Sequence, residues 1–255
     1  MTCRSDHLSR RTLLGGVTAG VATMLADRAG AAPAAGTANP APASLTPDQA
    51  LNALKAGNRA FLAGRAVPAD ANGRRRLEIA RAQYPIAVLV SCSDSRVPPE
   101  LLFGRGLGEL FIVRNAGNTI DTTAMGSLEY AVAELNVPLV VVMGHERCGA
   151  VAAAVAVVER GATYPGSIGR MVEPIVPAVL DARRQNSRDL LDASVRTNVS
   201  RTVSRLREFS EPMVLDRIRD GRLRIVGARY DLDDGNVDFF DEGPPARPPR
   251  GATAR

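Results

Sequence analysis

The sequence predicts an α/β fold in which a mostly parallel sheet is covered by helices. Short, continuous apolar segments recur along the chain, and such segments are typical of strands buried on both faces. Helical patterns lie between most of these segments, and this alternation favours parallel pairing. A turn signal at 234–236, Asp-Gly-Asn, predicts that the last segment folds back antiparallel. The predicted strands are 86–91, 110–113, 139–143, 223–228 and 237–240.

We expect the strand order 2-1-3-4, with strand 5 added as an antiparallel edge. This order makes the first and third strands neighbours. Ligands of such sheets bind outside the carboxyl ends of the strands, at the point where the strand order reverses. Cys92 directly follows the first predicted strand, and His145 follows the third. The predicted order therefore brings these two side chains face to face.

The predicted helices fill the gaps between the strands. Residues 46–49, Thr-Pro-Asp-Gln, combine an N-cap, a proline at the first helical position and a glutamine at the third. Apolar residues recur at about every fourth position between Leu191 and Leu206, which indicates an amphipathic helix. Pro85 ends the second helix, and Gly221 ends the last. The predicted helices are 47–62, 74–83, 122–135, 149–160, 189–209 and 211–220.

Residues 1–32 are predicted to be a twin-arginine signal peptide. Arg10 and Arg11 precede a weakly apolar run at 13–26, and small residues follow at 29–32. The alternative is a membrane anchor, but a bilayer span needs about 20 apolar residues and this glycine-broken run is shorter. We therefore expect export to the periplasm or another extracytoplasmic space, without a stable membrane anchor.

The rest of the chain divides into a linker, one domain and a tail. Residues 33–44 are rich in Ala, Pro, Gly and Thr and predict a flexible linker, whereas the Pro- and Arg-rich residues 243–255 predict a disordered tail. Residues 45–242 hold all of the predicted elements. The net charge is only +5, aromatic residues make up 4%, and Trp is absent. These values exclude the basic stripes and stacking platforms of a nucleic-acid binder.

Two short motifs gather the metal-binding side chains of this domain. The first is Cys-Ser-Asp-Ser-Arg at 92–96, and the second is His-Glu-Arg-Cys-Gly at 145–149. The other Cys and the other His of the chain lie in the predicted leader. His145 and Cys148 have the spacing of one face of a helical turn, and Cys92 would join them from the neighbouring strand. Two thiolates and one imidazole with an open fourth position suit catalytic Zn²⁺.

The two thiols also have other interpretations. In an exported protein, Cys92 and Cys148 are candidates for a disulfide, and two inert buried thiols are the third alternative. The predicted leader favours the metal, because the twin-arginine route exports folded proteins. Zinc would then be bound in the reducing cytoplasm before the thiols meet an oxidant.

The motifs closely resemble those of the β-class carbonic anhydrases, and the likeness extends over about residues 46–240. Supporting segments lie at 108–111, 114–118, 127–131 and 227–232. The resemblance implies a zinc enzyme that reversibly hydrates CO₂ to bicarbonate and a proton, and that forms a homodimer or homotetramer. It also implies that the zinc ligands are Cys92, His145 and Cys148. Asp94 would either bind the metal as well or pair with Arg96.

Asp94 and Arg96 are the expected catalytic residues. Zn²⁺ lowers the pKa of a coordinated water toward neutrality, and Asp94 would orient the resulting hydroxide while a forked pair with Arg96 holds the carboxylate. A purely structural salt bridge is the alternative for this pair. Two alternatives remain for the whole protein: a carbon disulfide or carbonyl sulfide hydrolase on the same fold, and a zinc-binding protein without catalysis.

Overall fold

The computed structural model describes residues 45–65 and 72–244. The strands in this part of the chain are β1 Ala87–Ser91, β2 Leu110–Arg114, β3 Leu139–His145, β4 Arg224–Tyr230 and β5 Val237–Asp241. They form one sheet of order β2-β1-β3-β4-β5, in which β5 is antiparallel to β4 and the other pairs are parallel. The predicted fold class and strand order are therefore confirmed.

Several predicted segments lie outside the described residues. The signal peptide at 1–32, the linker at 33–44 and nearly all of the tail at 243–255 belong to this group. These assignments stay predictions. Among the described residues, none of the helices combines the length and the hydrophobicity that crossing a lipid bilayer requires.

The two strands β1 and β3 are apolar up to their carboxyl ends, Ser91 and His145, because both of their faces are covered. Every residue of β1 and β3 is buried. Val88 and Val90 of β1 pack into one hydrophobic core, whereas Leu89 packs into the core on the opposite face of the sheet. This alternation is the ordinary two-residue period of a strand, here with apolar residues on both sides.

The helices cover both faces of the sheet. α8 packs against β3 and β4 on one face, and α1 contacts β3 on the other. Two short 3₁₀ turns lie at Ala116–Asn118 and Glu173–Ile175. In the described part of the chain, the α-helices are α1 Pro47–Leu62, α2 Gly73–Glu78, α3 Pro99–Leu102, α4 Thr122–Ala133, α5 Gly149–Arg160, α6 Gly166–Val172, α7 Val176–Arg184, α8 Leu190–Phe209 and α9 Pro212–Arg219.

The start of α1 follows the predicted capping box. The Thr46 hydroxyl accepts a hydrogen bond from the Gln49 amide at 3.2 Å, and the Gln49 side chain accepts one from the Thr46 amide at 2.8 Å. Other bounds differ from the prediction. α2 ends at Glu78 rather than at residue 83, and α3, α6 and α7 were not predicted. β3 continues to His145, because its pairing with β4 extends to Tyr230.

One end of the sheet carries a third, smaller apolar cluster. It joins Cys92 and Cys148 to Ile175, to Val179 of α7 and to Val195 of α8. This cluster surrounds the carboxyl ends of β1 and β3. The fold therefore places the two predicted motifs in an enclosed, apolar setting at the point where the strand order reverses.

Candidate metal centre

The structure brings Cys92, His145 and Cys148 together at the carboxyl ends of the central strands. Cys92 directly follows β1, His145 is the last residue of β3, and Cys148 is the N-cap of α5. All three side chains are buried, and their candidate ligand atoms lie within 4.8 Å of one another. The helical turn expected to join His145 and Cys148 is absent: a strand end, a tight turn and a helix start supply the two residues instead.

The backbone is strained in the tight turn between these two residues. Arg147 has a φ of +51°, a left-handed conformation that residues with a Cβ seldom adopt. Arg147 lies in the two-residue turn 146–147 that joins β3 to the start of α5. His145 and Cys148 consequently face the same point although they belong to different elements.

The sulfur atoms are spaced as two ligands of one tetrahedral ion. Cys92 and Cys148 are free cysteines whose Sγ atoms lie 3.9 Å apart. Two sulfurs at the usual Zn–S distance of about 2.3 Å in a tetrahedral site are about 3.8 Å apart. The thiols are not joined as a disulfide, and the geometry fits a metal of this kind.

His145 presents one ring nitrogen to the same point. Its Nδ1 lies 2.9 Å from the carbonyl oxygen of Glu146, so the tautomer with a proton on Nδ1 donates there. Its Nε2 is buried and has no hydrogen-bond partner among the described residues. A buried lone pair without a donor is costly, and a metal ion satisfies it. The donor set and the unpartnered nitrogen both fit Zn²⁺.

The two thiols have unequal acidity in this arrangement. A hydrogen bond from the Cys148 thiol stabilises the Cys92 thiolate and lowers the pKa of Cys92, with smaller contributions from His145 and from the amide of Gly117. The same shared proton raises the pKa of Cys148, and burial raises it further. The two sulfurs therefore titrate as one pair that shares a proton.

Asp94 lies beside the three ligand residues and is held by Arg96. The Arg96 Nε and one terminal nitrogen donate to the two Asp94 carboxylate oxygens at 2.9 and 2.7 Å, and the Arg96 amide adds a third bond at 3.0 Å. These bonds hold the pKa of Asp94 well below its usual range. Asp94 Oδ2 is 3.8 Å from His145 Nε2. Of the two predicted states of Asp94, the structure contains the one paired with Arg96.

Arg114 lies in one of the matching segments, and its half-buried side chain holds the first motif, a role that was not predicted. Its Nε donates to the Cys92 carbonyl at 2.9 Å, and a terminal nitrogen donates to the Asp94 carbonyl at 2.6 Å. Arg114 ends β2, whose register with β1 sets it opposite Ser91. The sequence signal that could have predicted this role was its position at the end of a predicted strand beside the first motif.

A second arginine, Arg229, supports the other motif; it too lies in a matching segment, and its role was not predicted. It donates to Asp192 at 2.6 Å and to Asp231 at 2.7 Å, and it lies 3.9 Å from a carboxylate oxygen of Glu146. Glu146 is further held by the amide of Leu232 at 3.1 Å. Because the Glu146 carbonyl accepts from His145, this cluster helps to orient the imidazole. Only the pairing of β3 with β4 places Arg229 there.

The fold and the site together define an α/β protein with a centre of two cysteines and one histidine. The family model described as carbonic anhydrase matches residues 87–237, which include every predicted site residue. Carbonic anhydrase 2 of Mycobacterium tuberculosis is 44% identical over 195 residues, spanning 76% of this chain and 93% of that protein. The chain belongs to the β-class carbonic anhydrase family, and the predicted enzyme class is confirmed by this membership.

Other relatives agree with this assignment. The carbonic anhydrase of Mycolicibacterium smegmatis is 40% identical over 193 residues, which span 76% of this chain and 93% of that protein. Among solved structures, the β-carbonic anhydrase CafA of Aspergillus fumigatus is 27% identical with a TM-score of 0.58, covering 76% of this chain and 92% of that one.

Proposed function

We propose that this protein catalyses the reversible hydration of CO₂ to bicarbonate and a proton, with Zn²⁺ held by Cys92, His145 and Cys148. The observation that carries the proposal is the unpartnered, buried Nε2 of His145 beside two thiols 3.9 Å apart. When bound, Zn²⁺ supplies a Lewis acid that lowers the pKa of water toward neutrality, which is the chemistry that CO₂ hydration requires.

The residues of the chain supply orientation and a dry setting. Asp94 stays ionised because Arg96 lowers its pKa, so its carboxylate is a hydrogen-bond acceptor at neutral pH. With Oδ2 3.8 Å from His145 Nε2, it can accept a hydrogen bond from an O–H group held beside His145 and so orient that group. The apolar cluster around the two cysteines excludes bulk water from the opposite side. Arg96, which is half exposed, fixes the direction of the carboxylate.

The test is CO₂ hydration by zinc-loaded protein, compared with two aspartate variants. Asp94→Ala should retain one zinc per chain, because three strong ligands remain, and should lose on the order of 10²–10⁴-fold in rate. Asp220→Ala is the matched control, since Asp220 also pairs with an arginine two positions later, at 2.8 Å from Arg222, but lies at the end of α9. It should keep the parent rate.

Two results would contradict the proposal. Zinc-loaded parent protein that does not hydrate CO₂ would remove the function. Asp94→Ala with the parent rate would remove the proposed role of Asp94.

We also propose export of the folded subunit, as the twin arginines at 10 and 11 predict. Replacing both by lysine should keep the protein in the cytoplasm, which fractionation and immunoblotting would detect. Unchanged export of this variant would reject the twin-arginine route.

A homo-oligomer is proposed as the working form, and exposed apolar side chains together with an edge strand support it. Leu77, Leu101 and Leu107 are 72, 48 and 40% exposed, and β2 is an edge strand in which the apolar side chains other than Val113 are only partly buried. Exposed apolar side chains beside an open sheet edge are typical of an interface. Light scattering on the purified protein should give a dimer or tetramer mass, and a monomer mass at micromolar concentration would reject this proposal.

A further inference from the structure

Asn198 is a buried polar residue on α8, one helical turn after the buried Ser194. It lies on α8, where its neighbours Val195, Val199 and Val203 are almost fully buried, and it is itself only 6% exposed. Its side-chain amide donates to the carbonyl of Gly117 at 2.9 Å. Burying an amide is costly without a partner, so this bond determines where the carbonyl of Gly117 lies relative to α8.

Gly117 in turn contacts the metal centre. Its amide donates to the sulfur of Cys92 at 3.3 Å. Its φ is +71°, and a Cβ at this position would lie 2.7 Å from Ile175 and 3.1 Å from Ala150. A glycine is therefore required, and glycine has the least intrinsic conformational preference of any residue. An external tether has to hold its two peptide groups in one orientation.

We infer that Asn198 is a positioning residue of the metal centre: it holds Gly117 so that the Gly117 amide donates to the Cys92 sulfur. The inference rests on the proposed metal-binding function of Cys92. Hydrogen bonds to a ligating atom orient it and tune the metal, and their loss typically costs about 10–100-fold in metal affinity or activity. The same amide is one of the groups that lower the pKa of the Cys92 thiol.

A merely structural role would look different. If Asn198 only fills space between α8 and the 3₁₀ turn at Ala116–Asn118, its loss lowers stability and leaves the sulfur unchanged. A comparable residue makes hydrogen bonds to neither the ligand residues nor Gly117. Asn58 on α1 is 3% exposed, and its amide also donates to backbone carbonyls, at 3.0 Å to Gly235 and 3.4 Å to Leu102.

The experiment uses full-length protein in which Co²⁺ replaces the zinc, and it records the thiolate-to-cobalt charge-transfer absorption. Asn198→Ala should shift this band to lower energy, because a thiolate that loses an N–H donor gives up its electrons more easily. Metal release to a chelator should be about 10–100-fold faster than from the parent. Asn58→Ala should lower the melting temperature by a similar amount and leave both the band and the release rate at parent values.

The outcomes separate this inference from the function on which it rests. Parent protein without a thiolate–cobalt band would overturn the metal site and the inference with it. A parent band that Asn198→Ala leaves in place, with a lowered melting temperature, would overturn the inference alone. If Asn198→Ala does not fold, Asn198→Ser supplies the same comparison, since its short side chain cannot span the distance to the Gly117 carbonyl.

Discussion

Residues 92–96 and residues 145–148 reach the same metal centre from neighbouring strands, but different chemistry holds each segment. We call them the first loop and the second loop. The first is held by Arg114, whose partners are two neutral peptide carbonyls. The second is held by Arg229, whose partners are carboxylates of Asp192, Asp231 and Glu146.

The backbones of the two loops differ as well. None of residues 92–96 has a positive φ, whereas Arg147 in the second loop has a φ of +51°. The first loop thus contains no left-handed residue, and a guanidinium holds it through hydrogen bonds to neutral carbonyls. The second is a strained segment fixed by charge. Each loop positions at least one ligand residue, but the stability that each arginine contributes should respond differently to pH and to substitution.

The largest effect is expected from removing a ligand in either loop. Cys92→Ser and Cys148→Ser should each lose the metal after treatment with a mild chelator. Their metal affinity should fall by more than the about 10–100-fold that is typical when a residue supporting a ligand is replaced. Metal analysis of the dialysed proteins measures the effect. All of these variants are prepared as the full-length chain with residues 1–32 retained, in which Cys3→Ser is the control because Cys3 lies outside both motifs; it should retain the parent metal content. Full metal retention by either loop variant would remove that residue from the ligand set.

The next effect separates the two arginines. Arg229→Met leaves partly buried carboxylates without their cation and should cost about 3 kcal/mol, near the low end for a broken buried pair because Asp192 and Asp231 keep some solvent. Arg114→Met loses two charge-assisted bonds to carbonyls and should cost about 2–3 kcal/mol. Denaturant unfolding at pH 7 measures both losses.

Their pH dependence is the sharper comparison. The hydrogen bond from Arg229 lowers the pKa of Asp231 in the folded protein. The stability from this pair is therefore fully present above the unfolded pKa of about 3.9 and is lost as the pH falls through the folded value. The difference in the free energy of unfolding between the parent and Arg229→Met should become smaller below about pH 4. The corresponding difference for Arg114→Met should not change with pH. Equal narrowing in both variants would contradict the distinction between the loops.

Local sequence signals predicted the strands of the sheet but not all of the helices. Continuous apolar runs marked the buried strands well, because a strand covered on both faces has little choice of residue. Between residues 161 and 188 no element was assigned, and this segment holds α6 and α7. Its prolines, including Pro174 and Pro177, resemble helix breakers, but both stand at helix starts, where the missing amide costs nothing.

The same contrast applies to the metal centre. The candidate ligands could be recognised from the sequence because few side chains bind a metal as a thiolate or an imidazole does. These ligands are Cys92, His145 and Cys148. The residues that support them could not be recognised, since arginine and asparagine are common and their roles depend on contacts distant in sequence. Asn198 meets Gly117 across 81 positions, and Arg229 meets Asp192 only because α8 packs on β4.

The smallest expected effect tests the backbone strain of the second loop. Arg147→Gly and Arg147→Ala both remove the ion pair with Asp233, so the difference between them isolates the left-handed conformation. Glycine avoids a cost of roughly 1 kcal/mol per residue, so Arg147→Gly should melt about 2–4 °C above Arg147→Ala. At the exposed, helical Ser204 on α8 the order should reverse, with Ser204→Ala melting above Ser204→Gly, because glycine weakens a helix interior. Calorimetry of the four metal-loaded variants gives both differences. Alanine melting above glycine at both positions would mean that the second loop relaxes when Arg147 is replaced, and that its strain is not needed to bring His145 and Cys148 to one point.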